Sequence, residues 1–291
     1  MKYITIAELS ETIRKNLWKI PHDIDLIIGV PRSGMIAASM IASYLNIPLI
    51  DVNSYLAGME PWGGGRLSIF KRNHSNTGKI LVVEDTVYSG NSLRETKKQI
   101  VESGKPGEYF YMCVYLEGSG EKIPDFYLED VRQYTNSKCP IVLYEWNIFQ
   151  HSEFMTSRFL FDMDGVLCVD PPDERNEEEY LEFIKNAPPL FIPLSLIGGV
   201  VTYRLIKNKD ITIDWLKKYN IRCNTITMFG ANSWEERNSK GISPEQYKAK
   251  FYKNSPQYIL FVESSDYQAQ RICELSGKPV YSVENNCLYQ N

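Results

Sequence analysis

Residues 80–92 constrain this chain most. Ile80, Leu81, Val82 and Val83 are four consecutive apolar residues, two of them valines. Such a run predicts a strand buried on both faces. Glu84 and Asp85 follow at once, where a strand of that kind would end. Thr86, Val87, Tyr88, Ser89, Gly90, Asn91 and Ser92 then lead into a helical pattern over 93–101. Small and hydroxyl-bearing residues between a strand and a helix make a turn whose backbone N–H groups can point inward at a helix N-terminus. That is an anion site suited to a phosphate.

Two carboxylates beside a phosphate site would repel the ligand unless it also brings hydroxyls for them to accept from, or a developing positive charge. A ribose 5-phosphate brings both: hydroxyls at C2 and C3, and an oxocarbenium-like C1 when its leaving group departs. The plainer reading is a strand–turn–helix with solvated acids, but acids, hydroxyls and glycine all fall in the required order. The stretch closely resembles the phosphoribosyl pyrophosphate (PRPP) binding motif of type I phosphoribosyltransferases: an apolar strand, two acids, a short spacer, Thr or Ser, Gly, any residue, Thr or Ser. The resemblance implies that Glu84, Asp85, Thr86, Val87, Tyr88, Ser89, Gly90, Asn91 and Ser92 bind PRPP, with Glu84 and Asp85 also acting in catalysis.

The rest of the first half fits around this stretch. An apolar stripe of Ile6, Leu9, Ile13 and Leu17 predicts a helix over 5–18, with Thr5 and Glu8 at capping-box spacing. A second buried strand over 25–30 runs into Pro31-Arg32-Ser33-Gly34 and a helix over 35–44. Exposed N–H groups plus one arginine suit a pyrophosphate. The segment resembles the family's pyrophosphate loop, which implies that Arg32, Ser33 and Gly34 line it across a non-proline cis peptide. A short strand is expected over 47–52. Residues 53–78 show no periodicity; in the resembled family this region is a flap that closes over PRPP, which makes Arg66, Lys71 and Arg72 candidates for contacting pyrophosphate. His22 and His74 read as surface residues. A helix over 93–103 and strands over 109–116, 126–128 and 141–146 complete the domain. Trp146 is expected to pack rather than to act in catalysis. Nothing in residues 1–150 marks a purine or pyrimidine pocket.

Composition narrows the class. The chain has 291 residues, enough for two domains. Its hydrophobic fraction of 43% and charged fraction of 23% are those of a soluble globular protein. A net charge of −4 gives no reason to expect nucleic-acid binding. Six scattered cysteines without a Cys-x-x-Cys pair argue against a zinc site or a disulfide framework, and favour a reducing, cytoplasmic setting. No signal peptide is read at the N-terminus. The most apolar window, 190–201, holds one proline and two glycines and is too short to span a bilayer. A homo-oligomer is left open.

Residues 147–157 are polar and aperiodic and are expected to be a linker. A strand over 158–161 then leads into Asp162-Met163-Asp164-Gly165. Two aspartates two residues apart at a strand end can reach one cation if the chain curls there, and Gly165 permits the curl. This segment resembles motif one of the haloacid-dehalogenase (HAD) phosphatase superfamily. The resemblance implies that Asp162 attacks phosphorus, that Asp164 protonates the leaving oxygen and then activates water, and that Mg²⁺ is held by Asp162, Asp164 and Glu263. It further implies that Thr202, at the end of the apolar run 199–202, hydrogen-bonds the phosphate, and that Lys248 neutralises phosphoryl group and nucleophile, with Lys250 as runner-up. In motif four, Glu263 fits the first acid. Ser264 stands where many members carry a second, and Asp266 is a substitute at an unusual spacing. About thirty residues between motifs one and two leave room for a minimal cap.

The expected fold is therefore α/β in two domains. Residues 1–152 form a type I phosphoribosyltransferase fold, a parallel sheet with a flexible loop. Residues 156–291 form a HAD-like Rossmannoid fold. The pairing resembles fused proteins of bacterial polysaccharide clusters. It implies transfer of ribose 5-phosphate from PRPP to an acceptor, a glycan or other small molecule, and removal of the 5-phosphate to leave a ribofuranosyl residue. A nucleobase phosphoribosyltransferase fused to a nucleotide phosphatase, and a PRPP-sensing regulator, are the alternatives.

Overall fold

A computed structural model describes residues 1–65, 78–134, 141–172 and 176–290. The chain divides into two compact units, Met1–Trp146 and Asn147–Asn291.

In the first unit, strand β1 (Lys2–Ile4) pairs in parallel with β7 (Val142–Tyr144) as a small sheet. The main sheet holds β2 (Leu26–Gly29), β3 (Leu49–Asp51), β4 (Lys79–Val87), β5 (Glu108–Leu116) and β6 (Phe126–Asp130), in the order β3-β2-β4-β5-β6, all parallel. The helix Ile6–Asn16 begins with the expected capping box between Thr5 and Glu8. The helix Gly34–Leu45 lays Ala37, Ala38 and Ile41 against Leu81 and Val83 on one face. The helix Asn91–Glu102 lays Leu93 and Ile100 against Val82 and Tyr111 on the other. Cover on both faces explains why β4 reads as a continuous apolar run. Each such fully buried side chain contributes roughly 1.5–3 kcal/mol relative to exposure.

Two expectations are corrected here. Strand β4 does not end at Val83. Glu84, Thr86 and Val87 continue its register opposite Cys113, Tyr115 and Leu116, because β5 extends equally far and supplies the ladder. The segment after β3 is not featureless throughout: Asp51 accepts hydrogen bonds from the N–H groups of Asn53 and Ser54 and starts a short helix, Val52–Leu56. Arg66, Lys71, Arg72 and His74 lie outside the described residues.

The second unit is built on β8 (Phe159–Phe161), β9 (Ile197–Leu205), β10 (Cys223–Phe229), β11 (Leu260–Glu263), β12 (Val280–Ser282) and β13 (Cys287–Tyr289). Their order is β10-β9-β8-β11-β12-β13, parallel except for β13. Its helices include Glu177–Asn186, Lys209–Lys218, Pro244–Lys253 and Asp266–Ser276. Residues 147–157 are not a linker. Ile148, Met155 and Thr156 are buried, and Phe149 stacks on Phe191 with ring centroids 4.0 Å apart. Residues 147–152, expected in the first domain, thus pack within the second unit. Their few apolar side chains are too sparsely spaced to show a period, yet Ile148 and Met155 are buried, while Phe154 stays exposed. No helix among the described residues is long and apolar enough to cross a membrane.

Candidate functional site

Strand order places the candidate residues. In the first unit the chain passes from β2 to β3 on one side, then to β4 on the other side of β2. The crevice at the C-terminal ends of β2 and β4 is therefore a topological switch point, where ligands bind in open α/β sheets. The loop after β2 carries Arg32, Ser33 and Gly34, and the peptide bond between Pro31 and Arg32 is cis. Arg32 is exposed. Gly34 sits so close to β4 that a Cβ added there would lie 2.8 Å from the Val83 carbonyl oxygen and 3.0 Å from Glu84 Oε1.

After β4 the turn closes at Gly90, which adopts a left-handed conformation (φ 74°) at the N-cap of the helix Asn91–Glu102 and brings no side chain to cap it. The helix Gly34–Leu45 likewise starts without a side-chain cap. Two helix starts without a side-chain cap thus flank one crevice; the Met35 and Ile36 N–H groups go to the Arg32 and Ser33 carbonyls, and the start at Asn91 is the one that offers first-turn N–H groups to an anion. Tyr88, Ser89, Asn91 and Ser92 are exposed around the turn, Thr86 is half-buried, and Val87 is buried as core.

Both acids are buried: Glu84 is 6% and Asp85 3% exposed. Ser92 donates its hydroxyl to Glu84 Oε2 at 2.8 Å. Burial, followed by the neighbouring Asp85 charge, pushes the Glu84 carboxyl up to about 8. Asp85 Oδ2 accepts the indole N–H of Trp146 at 2.7 Å. Trp146 was expected only to pack; its distance of 61 positions from Asp85 hides the partnership from any local pattern.

The second unit repeats this geometry. Strand β9 lies on one side of β8 and β11 on the other, so the ends of β8 and β11 form a second switch point. Asp162 follows β8 and Glu263 ends β11. Lys248, on the helix Pro244–Lys253, donates to Asp162 Oδ2 at 2.6 Å, to Glu263 Oε2 at 2.7 Å and to Gln268 Oε1 at 3.0 Å. Lys250 is exposed. Burial pushes the Asp162 carboxyl up, and Glu263 adds to this while Lys248 pulls it back. Burial works against the charge on Lys248, but Asp162 and Glu263 outweigh it and hold the ammonium above the usual lysine range. Thr202 is buried on β9, where its hydroxyl oxygen accepts the Arg204 N–H at 3.2 Å.

Asp162, Asp164 and Glu263 do not form one cluster, contrary to expectation. Among the described residues no three His, Cys, Asp or Glu side chains gather closely enough to hold a metal ion. The Asp162 and Glu263 side chains converge on the Lys248 ammonium. Asp164 is taken by Arg204, whose Nη2 lies 2.5 Å from Asp164 Oδ1 and whose Nε lies 3.0 Å from Oδ2. This buried Arg204 has no counterpart in the sequence expectations; its place two residues beyond Thr202 was the available signal. Asp266 is no substitute acid either, since its carboxylate accepts the Tyr289 hydroxyl at 2.8 Å. Ser264 instead supports Glu263, donating its backbone N–H to Oε1 at 3.0 Å. Gly165 (φ 72°) lets the turn pass close by: a Cβ there would lie 2.5 Å from that of Ser264 and 2.9 Å from Asp170 Oδ1. Asp170 is thus another acid at the rim of this site.

Comparison with known proteins bears on the first unit. The family profile described as "Phosphoribosyl transferase domain" matches residues 2–144. A xanthine-guanine phosphoribosyltransferase of Chromohalobacter salexigens is 30% identical over 118 residues, covering 39% of this chain and 66% of that protein. The transcriptional regulator GfcR of Halobacterium salinarum is 30% identical over 89 residues, covering 28% and 41%. The chain spans less than two thirds of the length of these curated relatives. Among solved structures, the purine phosphoribosyltransferase from Pyrococcus horikoshii Ot3 is 21% identical and covers 52% of this chain and 96% of that one, with a TM-score of 0.35. The Helicobacter pylori xanthine-guanine-hypoxanthine phosphoribosyltransferase is 16% identical and covers 50% and 92%, also with a TM-score of 0.35. With the motif over residues 84–92 and the matched span, the N-terminal half of this chain is a type I phosphoribosyltransferase domain.

Proposed function

We propose that the first unit transfers ribose 5-phosphate from PRPP to an acceptor with release of pyrophosphate, and that the second unit, a HAD-like phosphatase, then removes the 5-phosphate. The observation that carries the first step is the approach of Gly34 to Val83 and Glu84, which joins the loop after β2 to the acid pair of β4 in one crevice. In this reading the turn 86–92 holds the sugar phosphate. Arg32, Ser33 and Gly34 hold the pyrophosphate of PRPP, which enters as its magnesium complex. Glu84 and Asp85 accept hydroxyls of the ribose and stabilise charge growing at C1.

For the second step, Asp162 is the nucleophile toward phosphorus and Asp164 the proton donor to the leaving oxygen. Thr202 and Lys248 steady the phosphoryl group. The resemblance also implies Mg²⁺ here. The side chains do not fit a site of three carboxylates, because Lys248 stands between Asp162 and Glu263 and Arg204 holds Asp164. No step of this proposal runs through a metal in the second unit.

The acceptor in our reading is a glycan hydroxyl, and the product a ribofuranosyl residue. A nucleobase acceptor is the second reading, favoured by the likeness to a xanthine-guanine phosphoribosyltransferase. The test is mass spectrometry of products from PRPP and Mg²⁺ with glycans or with nucleobases. An unphosphorylated pentosylated glycan supports the first reading, and a nucleoside or nucleotide supports the second. PRPP binding without pyrophosphate release with any acceptor would overturn both and fit a sensor, a role in keeping with the GfcR relatives.

A further inference from the structure

A third carboxylate stands at this end of the first sheet. Glu117 follows directly on β5. Its backbone N–H donates to the Val87 carbonyl at 2.9 Å, and that of Gly120 to the Tyr88 carbonyl at 2.9 Å, which fixes the segment against the turn after β4. Glu117 is half-buried, and its Oε2 accepts the Tyr144 hydroxyl at 3.4 Å. The Tyr144 ring lies against that of Trp146, with centroids 5.1 Å apart, and Trp146 holds Asp85. A chain of contacts therefore runs from Glu117 to Asp85.

Sheet order gives Glu117 a direction. The loop that would hold pyrophosphate follows β2, and the acids that would face C1 lie on β4. A nucleophile displacing pyrophosphate enters C1 from the side away from the leaving group. The strand on that side of β4 is β5, and the carboxylate that follows its C-terminal end is Glu117.

We propose that Glu117 is a catalytic residue that binds the acceptor at the X–H group of its attacking atom and takes up the proton. This rests on the phosphoribosyl-transfer reading above. The electron pair of X forms the new bond to C1 as the C1–O bond to pyrophosphate breaks. The bonding pair of that C1–O bond leaves with pyrophosphate on the Arg32 side. The X–H proton passes to the Glu117 carboxylate and then to solvent. The acceptor class follows: an uncharged molecule with a hydroxyl or ring N–H, since the carboxyl groups of Glu84, Asp85 and Glu117 offer an anion no counter-charge. Burial pushes the Glu117 carboxyl up to about 7, while the Tyr144 hydrogen bond lowers it and the Asp85 charge raises it. A base poised there matches neutral conditions. The groups facing this segment are Asp85 from β4, Tyr144 from β7, and Arg132, whose Nη1 lies 3.5 Å from the Gly118 carbonyl.

The test compares the full chain with Glu117→Gln and Glu117→Asp. It measures PRPP binding by calorimetry and pyrophosphate release against pH, with water, sugar alcohols and nucleobases as acceptors. We expect Glu117→Gln to bind PRPP like wild type, to release pyrophosphate about 10²-fold more slowly with every acceptor including water, and to lose the acid limb of the pH profile. Glu117→Asp should recover part of the rate with that limb displaced, and it decides the matter if the glutamine variant fails to fold. If wild type cleaves PRPP and both variants keep its rate and profile, the role of Glu117 is overturned while phosphoribosyl transfer stands. If wild type binds PRPP but never cleaves it, even with water, both fall together.

Discussion

Trp146 donates its indole N–H to the buried carboxylate of Asp85 at 2.7 Å, joining the last residue of the first unit to the middle of its signature motif. A carboxylate so deeply placed needs donors, and this one comes from a segment with no local kinship to the motif.

Trp146→Phe keeps most of the ring but removes the donor. We expect a loss of about 1–3 kcal/mol in urea unfolding, with weaker PRPP binding. Unchanged stability and affinity would show that Asp85 draws its support elsewhere.

At Gly34 the obstacle is backbone. The Val83 carbonyl is locked in the sheet and cannot yield to an added methyl group 2.8 Å away. Gly34→Ala should destabilise the protein by about 1–3 kcal/mol and abolish measurable PRPP binding. Wild-type affinity in this variant would show that the loop and β4 need not approach so closely.

The elevated Glu84 carboxyl ties stability to pH. In the unfolded chain it titrates near its ordinary value of 4.5, in the folded protein near 8. Between these values the folded state binds the extra proton, so stability is greatest below about pH 4.5 and declines as pH rises toward 8. Glu84→Gln should make that decline shallower and raise the melting temperature at pH 8. An identical pH dependence in the variant would rule out this coupling.

In the second unit, Lys248→Met would leave Asp162 and Glu263 facing each other without a cation. Removing one partner of a buried ionic group costs about 3–5 kcal/mol, so a large drop in melting temperature is expected. Restoring stability with the double variant Lys248→Met, Glu263→Gln would confirm that charge is the cause; failure to restore it would point to packing.

The two chemistries should separate by mutation. Asp162→Asn should stall the reaction with a phosphorylated pentosyl product, visible by mass spectrometry. Asp85→Asn should stop pyrophosphate release yet leave hydrolysis of a small phosphate ester intact. An unphosphorylated product from Asp162→Asn would exclude the assigned nucleophile.

Much of the architecture was legible because its causes are local. The capping box of Thr5 and Glu8, the buried runs of β4 and β8, and the glycine that opens the helix at Asn91 all follow from neighbours a few positions apart. The element boundaries and the linker were less legible. Strand β4 runs on through its acids because β5 offers a longer ladder. Residues 147–157 fold because Phe149 finds Phe191. Neither cause is written in the segment it affects.

By itself the sequence determined the alternation of strands and helices, the identity of the phosphoribosyltransferase motif, and the candidates Arg32, Glu84, Asp85, Asp162, Lys248 and Glu263. Only the tertiary structure decided that Trp146 holds Asp85, that Arg204 holds Asp164, and that the Glu117 backbone is tied to Val87 at the end of β4. The physical reason is strand order. A side chain at the end of a strand meets whatever the neighbouring strand brings, and in both sheets the neighbours at the switch point come from distant parts of the chain.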